Sequence, residues 1–225
     1  MTRTVLVTGT SRGLGLEFVR QLRARGDAVL ACARKPSSAA EAADVGAEVV
    51  ALDVAEPASI AALERTLGSR PIDVLINNAG VSGQDAAVGG LSLTEFRRVF
   101  DTNTIAPALL TRALLPNLRA GRRRVVVNIS SQLGSIAAAT PGFSYAYAAS
   151  KAALNMISAR LARDLAGDGF TVVSMCPGWN RTDMGGPNAS LMPADSVREM
   201  LATIDGLTPG DSGRFVSRSG EDIPF

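Results

Sequence analysis

The decisive stretch of this 225-residue chain reads Thr4-Val-Leu-Val-Thr8-Gly9-Thr-Ser11-Arg12-Gly13-Leu14-Gly15. Its first five residues form an apolar run typical of a buried strand, and an amphipathic helical pattern starts at Leu14. The three glycines let the backbone turn tightly and approach a ligand without interference from a Cβ atom. Free N–H groups at the start of the helix favour a pyrophosphate. The stretch therefore predicts a strand, a phosphate-binding turn and a helix.

The glycine-rich turn also has three interpretations other than a dinucleotide-binding turn. Gly9-Thr-Ser11-Arg-Gly13 matches the nucleophile elbow G-x-S-x-G, which would make Ser11 the nucleophile of a hydrolase. That mechanism needs a histidine base, and the chain has no histidine. A P-loop fails as well, because neither Lys35 nor Lys151 follows glycine or precedes Ser or Thr. A plain glycine-rich link between strand and helix remains the alternative.

Outside this turn, short apolar runs alternate with longer helical patterns. The runs are nearly continuous in Val, Ile, Leu and Ala, as expected for parallel strands covered on both faces. Strands are predicted at residues 4–8, 28–33, 48–52, 74–77, 124–129 and 171–176, with a short last one in the tail from 213. Helices are predicted at 14–25, 57–67, 93–118, 146–166 and 196–204. This alternation predicts an α/β fold, a doubly wound parallel sheet of about seven strands with helices on both faces, as a single domain over residues 1–225.

Composition narrows the class of protein. Cys32 and Cys176 lie in apolar runs, so we expect buried thiols rather than a disulfide, and with no histidine we expect no metal site. The net charge is +2 and aromatic residues make up 4%. The one basic run, Arg122-Arg123-Arg124, predicts a solvated loop and no nucleic-acid partner. No segment has the pattern of a signal peptide or a membrane span, which predicts a cytoplasmic protein without a membrane partner.

The residues after the second strand indicate which dinucleotide would bind. An acidic residue there would accept hydrogen bonds from the adenosine ribose hydroxyls, whereas an arginine suits a 2′-phosphate. Here the strand ends in Ala31-Cys-Ala-Arg34-Lys35 without an acid, and the turn adds Arg12. Charge-assisted hydrogen bonds to a phosphate contribute roughly 1.5–3 kcal/mol each. We therefore predict NADP(H) over NAD(H); the alternative is that Arg34 and Lys35 only solvate a loop.

A second chemical signal lies in the predicted helix 146–166. Tyr147 and Lys151 are four residues apart, so they share one face of the helix and reach each other. With two tyrosines and two lysines, this spacing arises by chance in roughly 2% of such chains. An adjacent ammonium, with an oxidised nicotinamide nearby, favours the phenolate and so lowers the pKa of a tyrosine. The alternative is an amphipathic helix with an ordinary tyrosine and a snorkelling lysine.

Together these residues resemble the motif set of the short-chain dehydrogenases/reductases. Thr8-Gly9-xxx-Gly13-x-Gly15, Asn77-Asn78-Ala79-Gly80 and Tyr147-xxx-Lys151 match the family in order and position. The resemblance covers essentially the whole chain and implies a Rossmann sheet, a nicotinamide cofactor and a homodimer. More narrowly, Asn128-Ile-Ser-Ser-Gln, Trp179-xx-Thr-Asp-Met and the ending Gly-Glu-Asp-Ile-Pro-Phe resemble the sniffer-type carbonyl reductases, a branch that includes the C-factor-like proteins.

The resemblance implies a role for each matching residue. Asp53 would contact the adenine, and the turn after the sixth strand would hold the nicotinamide carboxamide. The implied cofactor-binding residues are Gly9, Ser11, Arg12, Gly13, Leu14, Gly15, Arg34, Asp53, Val54, Asn78, Ala79, Gly80, Tyr147, Lys151, Pro177, Gly178 and Thr182. The implied catalytic residues are Asn103, Ser131, Tyr147 and Lys151.

The sequence departs from the family pattern in two places. The catalytic serine normally follows the fifth strand, which indicates Ser131, but it lies 16 residues before Tyr147 and the usual gap is shorter. Ser135 lies 12 residues before Tyr147, nearer the usual gap; we favour Ser131 and interpret residues 137–141 as an insertion. Few residues separate Thr182 from Pro193, so the helices that usually cover the substrate would be short and the pocket open.

These residues suggest the reduction of a carbonyl group by NADPH. Hydride would pass to a ketone or aldehyde carbon, Tyr147 would protonate the oxygen, and Ser131 would hydrogen-bond it. Lys151 would hold the nicotinamide ribose, and Asn103 would support a water that resupplies the proton. Side chains expected to flank an apolar or aromatic substrate are Leu133, Phe143, Tyr145, Trp179 and Met184. The alternatives are a dehydrogenase working in the oxidative direction and a C-factor-like signalling or NADP-sensing protein with little turnover.

Overall fold

Seven parallel strands form one sheet in the computed structural model, which describes residues 2–225. The order across the sheet is β3-β2-β1-β4-β5-β6-β7, and each neighbouring pair is parallel. The strands are β1 (Thr4–Thr8), β2 (Ala28–Ala33), β3 (Glu48–Ala51), β4 (Val74–Asn77), β5 (Val125–Ile129), β6 (Thr171–Cys176) and β7 (Phe215–Ser217). The α-helices are α1 (Gly13–Ala24), α2 (Ala40–Asp44), α3 (Pro57–Leu67), α4 (Leu93–Phe100), α5 (Ala106–Ala113), α6 (Leu115–Ala120), α7 (Tyr145–Asp164) and α8 (Pro193–Gly206).

The two faces of the sheet are covered by different helices. Val5 and Val7 of β1 belong to a core cluster that includes side chains of α1 and α8, such as Phe18 and Met200. Leu6, between them, points to the other face, into a cluster with side chains of α3, α5 and α7. Because successive side chains on a strand alternate, a strand covered on both faces reads as a continuous apolar run. The predicted α/β doubly wound sheet is confirmed.

The order of the strands places a crevice beside β1. The chain moves outward in one direction from β1 to β3 and then returns to add β4 on the other side of β1. In such sheets ligands bind in the crevice at the carboxyl ends of the strands where the order reverses. The glycine-rich turn after β1 and the Asn78-Ala79-Gly80 segment after β4 therefore meet at this switch point.

The prediction of one continuous α-helix over residues 93–118 is wrong. After α4, residues Asp101–Ile105 form one π-helical turn, α5 follows, and a further bend at Leu114 precedes α6. A π turn inserts one extra residue into the helical ladder and redirects the side chains around it. Here it carries Asn103, which is fully buried. A helical periodicity in the sequence does not distinguish this insertion from a regular helix.

Smaller differences concern short or irregular segments. The helix α2 was not predicted, because five residues are too few for a periodic pattern. The basic run before β5 is not simply solvated, since Arg123 donates to the Ile204 carbonyl at 3.1 Å and Arg124 to the Asp168 carbonyl at 2.6 Å. These hydrogen bonds join the residues before β5 to the C-terminal part of α8 and to the loop after α7.

Among the helices of residues 2–225, none combines the length and the apolar character needed to cross a membrane.

Truncating the centre of the sheet should cost far more stability than truncating an exposed leucine. Leu75 of β4 is completely buried, whereas Leu93 at the start of α4 is 67% exposed. We expect Leu75→Ala to lower the free energy of unfolding by about 3 kcal/mol, through lost burial and the cavity left behind. Leu93→Ala should change it by less than about 0.5 kcal/mol. Urea unfolding followed by circular dichroism measures both, and equal effects would contradict the assignment of Leu75 to the core.

Candidate active site

The turn after β1 closes tightly on itself and on the segment after β4. Gly9 and Gly13 have φ values of +71° and +56°, a region that side chains disfavour. A Cβ added at Gly15 would lie 2.1 Å from the Gly9 carbonyl oxygen, and one at Gly9 would lie 2.9 Å from the Cα of Ala79. The backbone of this turn, without side chains at the three glycines, therefore forms a concave surface, and the N-terminus of α1 points toward it. This arrangement fits a pyrophosphate group.

Thr8 joins the ends of β1 and β4. Its hydroxyl oxygen accepts hydrogen bonds from the N–H groups of Asn78 and Ala79 at 3.0 and 2.9 Å. The Asn78 side-chain amide in turn donates to the Thr8 carbonyl at 2.8 Å. The two strand ends therefore form one continuous wall.

A cleft of about 530 Å³ opens above this wall. It runs along the carboxyl ends of the strands, and most of the predicted cofactor-binding residues border it. Those residues are Gly9, Ser11, Arg12, Gly13, Leu14, Gly15, Arg34, Asp53, Val54, Asn78, Ala79, Gly80, Tyr147, Lys151, Pro177 and Thr182. Of the other predicted residues, Asn103, Ser131 and Gly178 lie outside this lining.

The helix α7 brings Tyr147 and Lys151 to one end of the cleft. The Lys151 ammonium lies 5.7 Å from the centre of the Tyr147 ring and donates to the Ile129 carbonyl at 2.7 Å. Lys151 is only 4% exposed, whereas Tyr147 is half-buried and faces the cleft. The predicted pair is therefore in place, but the ammonium is hydrogen-bonded to the end of β5.

Burial controls the charge of both groups in the protein alone. Desolvation lowers the pKa of Lys151 to about 8, because a buried ammonium loses its hydration. Desolvation also raises the pKa of Tyr147 to about 12; the nearby Ser131 hydroxyl opposes this rise, and the nearby Cys176 adds to it. The expected lowering of the tyrosine pKa by the ammonium is therefore not found in the protein alone, where burial raises that pKa.

The structure separates the two candidate serines. The Ser131 hydroxyl lies close enough to Tyr147 to favour its phenolate, and its oxygen accepts the N–H of Leu133 at 3.2 Å. Ser135 is 1% exposed, and its hydroxyl accepts the N–H of Ala138 at 3.1 Å within its own loop. Only Ser131 therefore stands beside the phenol group, in spite of its longer separation along the chain.

Asn103 lies one layer behind the cleft. Its side-chain oxygen accepts the Val81 N–H at 2.8 Å, and its amide donates to the Val81 carbonyl at 2.9 Å and to the Ser150 hydroxyl at 3.1 Å. The oxygen also lies 3.3 Å from the position of a Cβ added at Gly80. Through these contacts Asn103 holds the segment after Gly80 against α7.

Several lining residues were not identified from the sequence. They are Ala33, Leu52, Ala55, Glu56, Val81, Arg98, Asp101, Thr102, Ile129, Ser130 and Asp183. Met184, a pocket candidate from the sequence, also borders the cleft. Leu52 and Ala55 could have been predicted, because they lie within two residues of Asp53, which the sequence analysis names. No sequence motif marks Arg98 of α4 or Asp101 and Thr102 of the π turn as lining residues. Leu133, Phe143, Tyr145 and Trp179, the other pocket candidates, are not among the residues that border the cleft.

The segment between β6 and α8 is open. Residues 177–192, all of which the structure describes, contain no helix. Trp179 is 56% exposed and donates to the Gly185 carbonyl at 2.8 Å. Asp183 reaches across the cleft to Arg12 of the glycine-rich turn at 3.2 Å, and both side chains are largely exposed.

The sheet order, the glycine-rich turn and the tyrosine–lysine pair are features of a dinucleotide-binding α/β protein. A family model described as short chain dehydrogenase matches residues 3–191, and the chain belongs to that family.

Known proteins of the family resemble the chain closely. The C-signal protein of Myxococcus xanthus is 50% identical over 155 residues, which cover 69% of this chain and 93% of that protein. The NADPH-bound carbonyl reductase from chicken fatty liver superposes with a TM-score of 0.91 at 33% identity, over 100% of this chain and 99% of that one. The carbonyl reductase Sniffer of D. melanogaster gives a TM-score of 0.92 at 30% identity over the full length of both chains.

The ionisation of Tyr147 can be measured directly, because the chain has only two tyrosines. In a Tyr145→Phe variant the remaining phenol should ionise at a pKa of about 12 rather than at its ordinary 10.0, since the folded protein desolvates it. An ultraviolet absorbance titration reports this step. In the matched Tyr147→Phe variant the step near 12 should be absent. Ionisation of Tyr147 near 10 in the folded protein would show that the phenol is solvated.

Proposed function

We propose that the protein is an NADPH-dependent carbonyl reductase that reduces a ketone or an aldehyde. The single observation that carries this proposal is the placement of Tyr147 and Lys151 in one cleft with the glycine-rich turn, with Ser131 next to Tyr147. Such a site has room for a dinucleotide and places a proton donor beside the far end. The NADPH-bound reductase from chicken, at 33% identity over the whole chain, supports the same reaction.

The residues of the cleft suit NADP(H). A Cβ at Gly15 would overlap the backbone of Gly9, so the turn keeps the close backbone surface that a pyrophosphate needs. Arg34 borders the cleft at the end of β2, where a 2′-phosphate would be recognised. Arg12 borders it as well and would exchange its partner Asp183 for the phosphate. When bound, the cofactor would supply the hydride that reduces the carbonyl carbon.

Tyr147 donates the proton to the carbonyl oxygen in this proposal. Desolvation raises its pKa to about 12, so the phenol is protonated at neutral pH, and its donation would be favoured by a positive charge that binds beside it. Ser131 donates a hydrogen bond to the same oxygen, and stabilising a developing charge in this way contributes about 3 kcal/mol in comparable sites. Ser131 lies close enough to Tyr147 to affect its ionisation, so both hydroxyls are available to one carbonyl oxygen.

Lys151 and Asn103 act behind the phenol. We assign Lys151 to hold the nicotinamide ribose and, once a positive charge lies in the cleft, to help stabilise the phenolate left after proton donation. Asn103 supports the segment after Gly80 and the start of α7 through Val81 and Ser150. The family resemblance also implies that Asn103 supports a water molecule that resupplies the proton to Tyr147. The substrate would enter beside Met184, which favours an apolar or aromatic carbonyl compound.

The remaining features stay predictions of the sequence. These are a single NADP(H)-binding domain over residues 1–225, a homodimer and a cytoplasmic location.

A second candidate function is signalling or NADP sensing with little turnover. The observation that favours it is the 50% identity to the C-signal protein of Myxococcus xanthus. The site residues for proton donation are all present, however, and a sensor does not need them. A third possibility, oxidation of an alcohol, uses the same residues in reverse.

A screen of NADPH consumption over ketones, aldehydes and quinones separates these candidates. The reductase proposal expects NADPH consumption with at least one class of carbonyl compound. A preference for alcohol and NADP⁺ would indicate the oxidative direction. Tight NADPH binding with no turnover of any carbonyl or alcohol would favour the sensor and overturn the proposal.

Removing the phenol hydroxyl should abolish catalysis without affecting the cofactor. We expect Tyr147→Phe to reduce kcat by at least about 1,000-fold, because the proton donor is lost, while the Kd for NADPH changes little. Tyr145→Phe is the matched control, since this second tyrosine is 47% exposed and outside the cleft lining. Fluorescence titration with NADPH and steady-state kinetics give both quantities. A Tyr147→Phe variant that retains substantial activity would exclude the phenol as proton donor.

Cofactor preference should depend on Arg34 more than on its neighbour. Arg34 borders the cleft, whereas Lys35 does not. We expect Arg34→Leu to weaken binding of NADPH relative to NADH by about 10-fold or more, the loss of one charge-assisted hydrogen bond. Lys35→Leu removes the same charge one residue later and should change the ratio much less. Equal effects of the two substitutions would point to a general electrostatic attraction instead of a 2′-phosphate contact.

A further inference from the structure

Asp85 is a buried carboxylate that none of the sequence motifs includes. It lies in the loop between β4 and α4 and is 2% exposed, less than the other buried aspartates Asp73 and Asp27. Burying a carboxylate is costly unless several donors satisfy it. Asp85 therefore needs a structural or functional reason, and its hydrogen bonds indicate one.

The donors to Asp85 come from the N-terminus of the helix that carries Tyr147. The carboxylate accepts the Ala146 N–H at 3.1 Å and the hydroxyl of Ser144, while the Asp85 backbone carbonyl accepts the Tyr145 N–H at 3.2 Å. The Ser144 oxygen accepts the N–H of Tyr147 itself at 3.1 Å. The first three amides of α7, which have no partner within the helix, thus end on Asp85 and Ser144. A negative charge at this position also complements the helix dipole.

The same loop is anchored at its other end to the wall of the cleft. It continues directly from Asn78-Ala79-Gly80, and Asn103 holds Val81 through two hydrogen bonds. Between the anchors, Gly83 passes so close to α7 that an added Cβ would lie 2.0 Å from the Ser144 hydroxyl oxygen. The loop is therefore a short connection, fixed at both ends, between the cleft wall and the backbone of Tyr147.

We propose that Asp85 is a positioning residue of the active site, which fixes the first turn of α7 and so the placement of Tyr147 relative to the cleft wall. This inference rests on the proposed function, because positioning matters only where Tyr147 transfers a proton. A displacement of about 1 Å from a reactive geometry can cost about 100-fold in rate.

The matched control is Asp73. It is also a buried carboxylate that accepts backbone N–H groups, from Thr4 at 2.8 Å and Arg122 at 2.8 Å, but at the opposite ends of the strands. Asp73→Ala should lose stability for the same physical reason as Asp85→Ala. It is far from the proton donor and should leave kcat unchanged under conditions where it is folded.

The experiment compares steady-state kinetics and NADPH binding of the two alanine variants. We expect Asp85→Ala to lower kcat about 100-fold with the Kd for NADPH within about threefold of the wild type, because the adenine and pyrophosphate residues are untouched. Asp85→Asn keeps an acceptor oxygen and should recover kcat to within about 10-fold of the wild type. If Asp85→Ala does not fold, Asp85→Asn is compared with Asp73→Asn: the former should keep a partial loss of kcat of up to about 10-fold, and the latter should leave kcat unchanged.

A loss of kcat that is equal in the Asp85 and Asp73 variants, or absent from both, overturns the inference. If the wild type consumes no NADPH with any carbonyl compound, the proposed function fails. The positioning role of Asp85 is then tested by the ionisation of Tyr147 alone. In the Tyr145→Phe background, Asp85→Ala should let water reach the phenol and lower its pKa from about 12 toward 10.0, with Lys151 and Cys176 still beside it. Asp73→Ala should leave the titration unchanged, and the same curve for both variants would overturn the positioning role independently.

Discussion

The joint between the ends of β1 and β4 is the constraint on which the remaining site depends. Thr8 accepts two N–H groups from the segment after β4, and Gly9 lies so close to Ala79 that no side chain fits between them. Where the strand order reverses, two loops that leave the sheet in different directions would otherwise separate. Because Thr8 and Gly9 hold them together, the crevice has a continuous backbone floor, and the start of α1 can point into it.

Burial is the second physical factor, and it acts on the proton-transfer residues. A lysine that is 4% exposed would be costly, but its ammonium is satisfied by the carbonyl at the end of β5. The same desolvation raises the pKa of the neighbouring tyrosine to about 12. In the protein alone the phenol is therefore neutral. A positive charge that enters the cleft would shift this balance toward the phenolate, since opposite charges favour ionisation.

Much of the fold and the site could be predicted from the sequence because both depend on local patterns. The strands are continuous apolar runs, and the glycine turn and the Tyr147–Lys151 spacing are short motifs with a direct geometric meaning. Other parts depend on contacts between distant segments. The π turn around Asn103 exists where that side chain reaches Val81 and Ser150, and no periodicity records such a contact. Arg98, Asp101 and Thr102 border the cleft for the same reason, because the turn redirects that face of the helix.

The sequence by itself determined the class of fold, the glycine-rich turn and the presence of Tyr147 and Lys151 on one face of a helix. These follow from residues that are close along the chain and whose spacing sets which side chains share a face. Only the tertiary structure shows that Ser131 lies near Tyr147 while Ser135 bonds within its own loop, because this depends on how the segment after β5 folds back. It also decided the protonation of the pair and the contact of Asp85 with α7. Burial and hydrogen bonds between segments some 60 residues apart depend on tertiary packing. Such contacts produce no periodic pattern in the sequence, so they cannot be predicted from it.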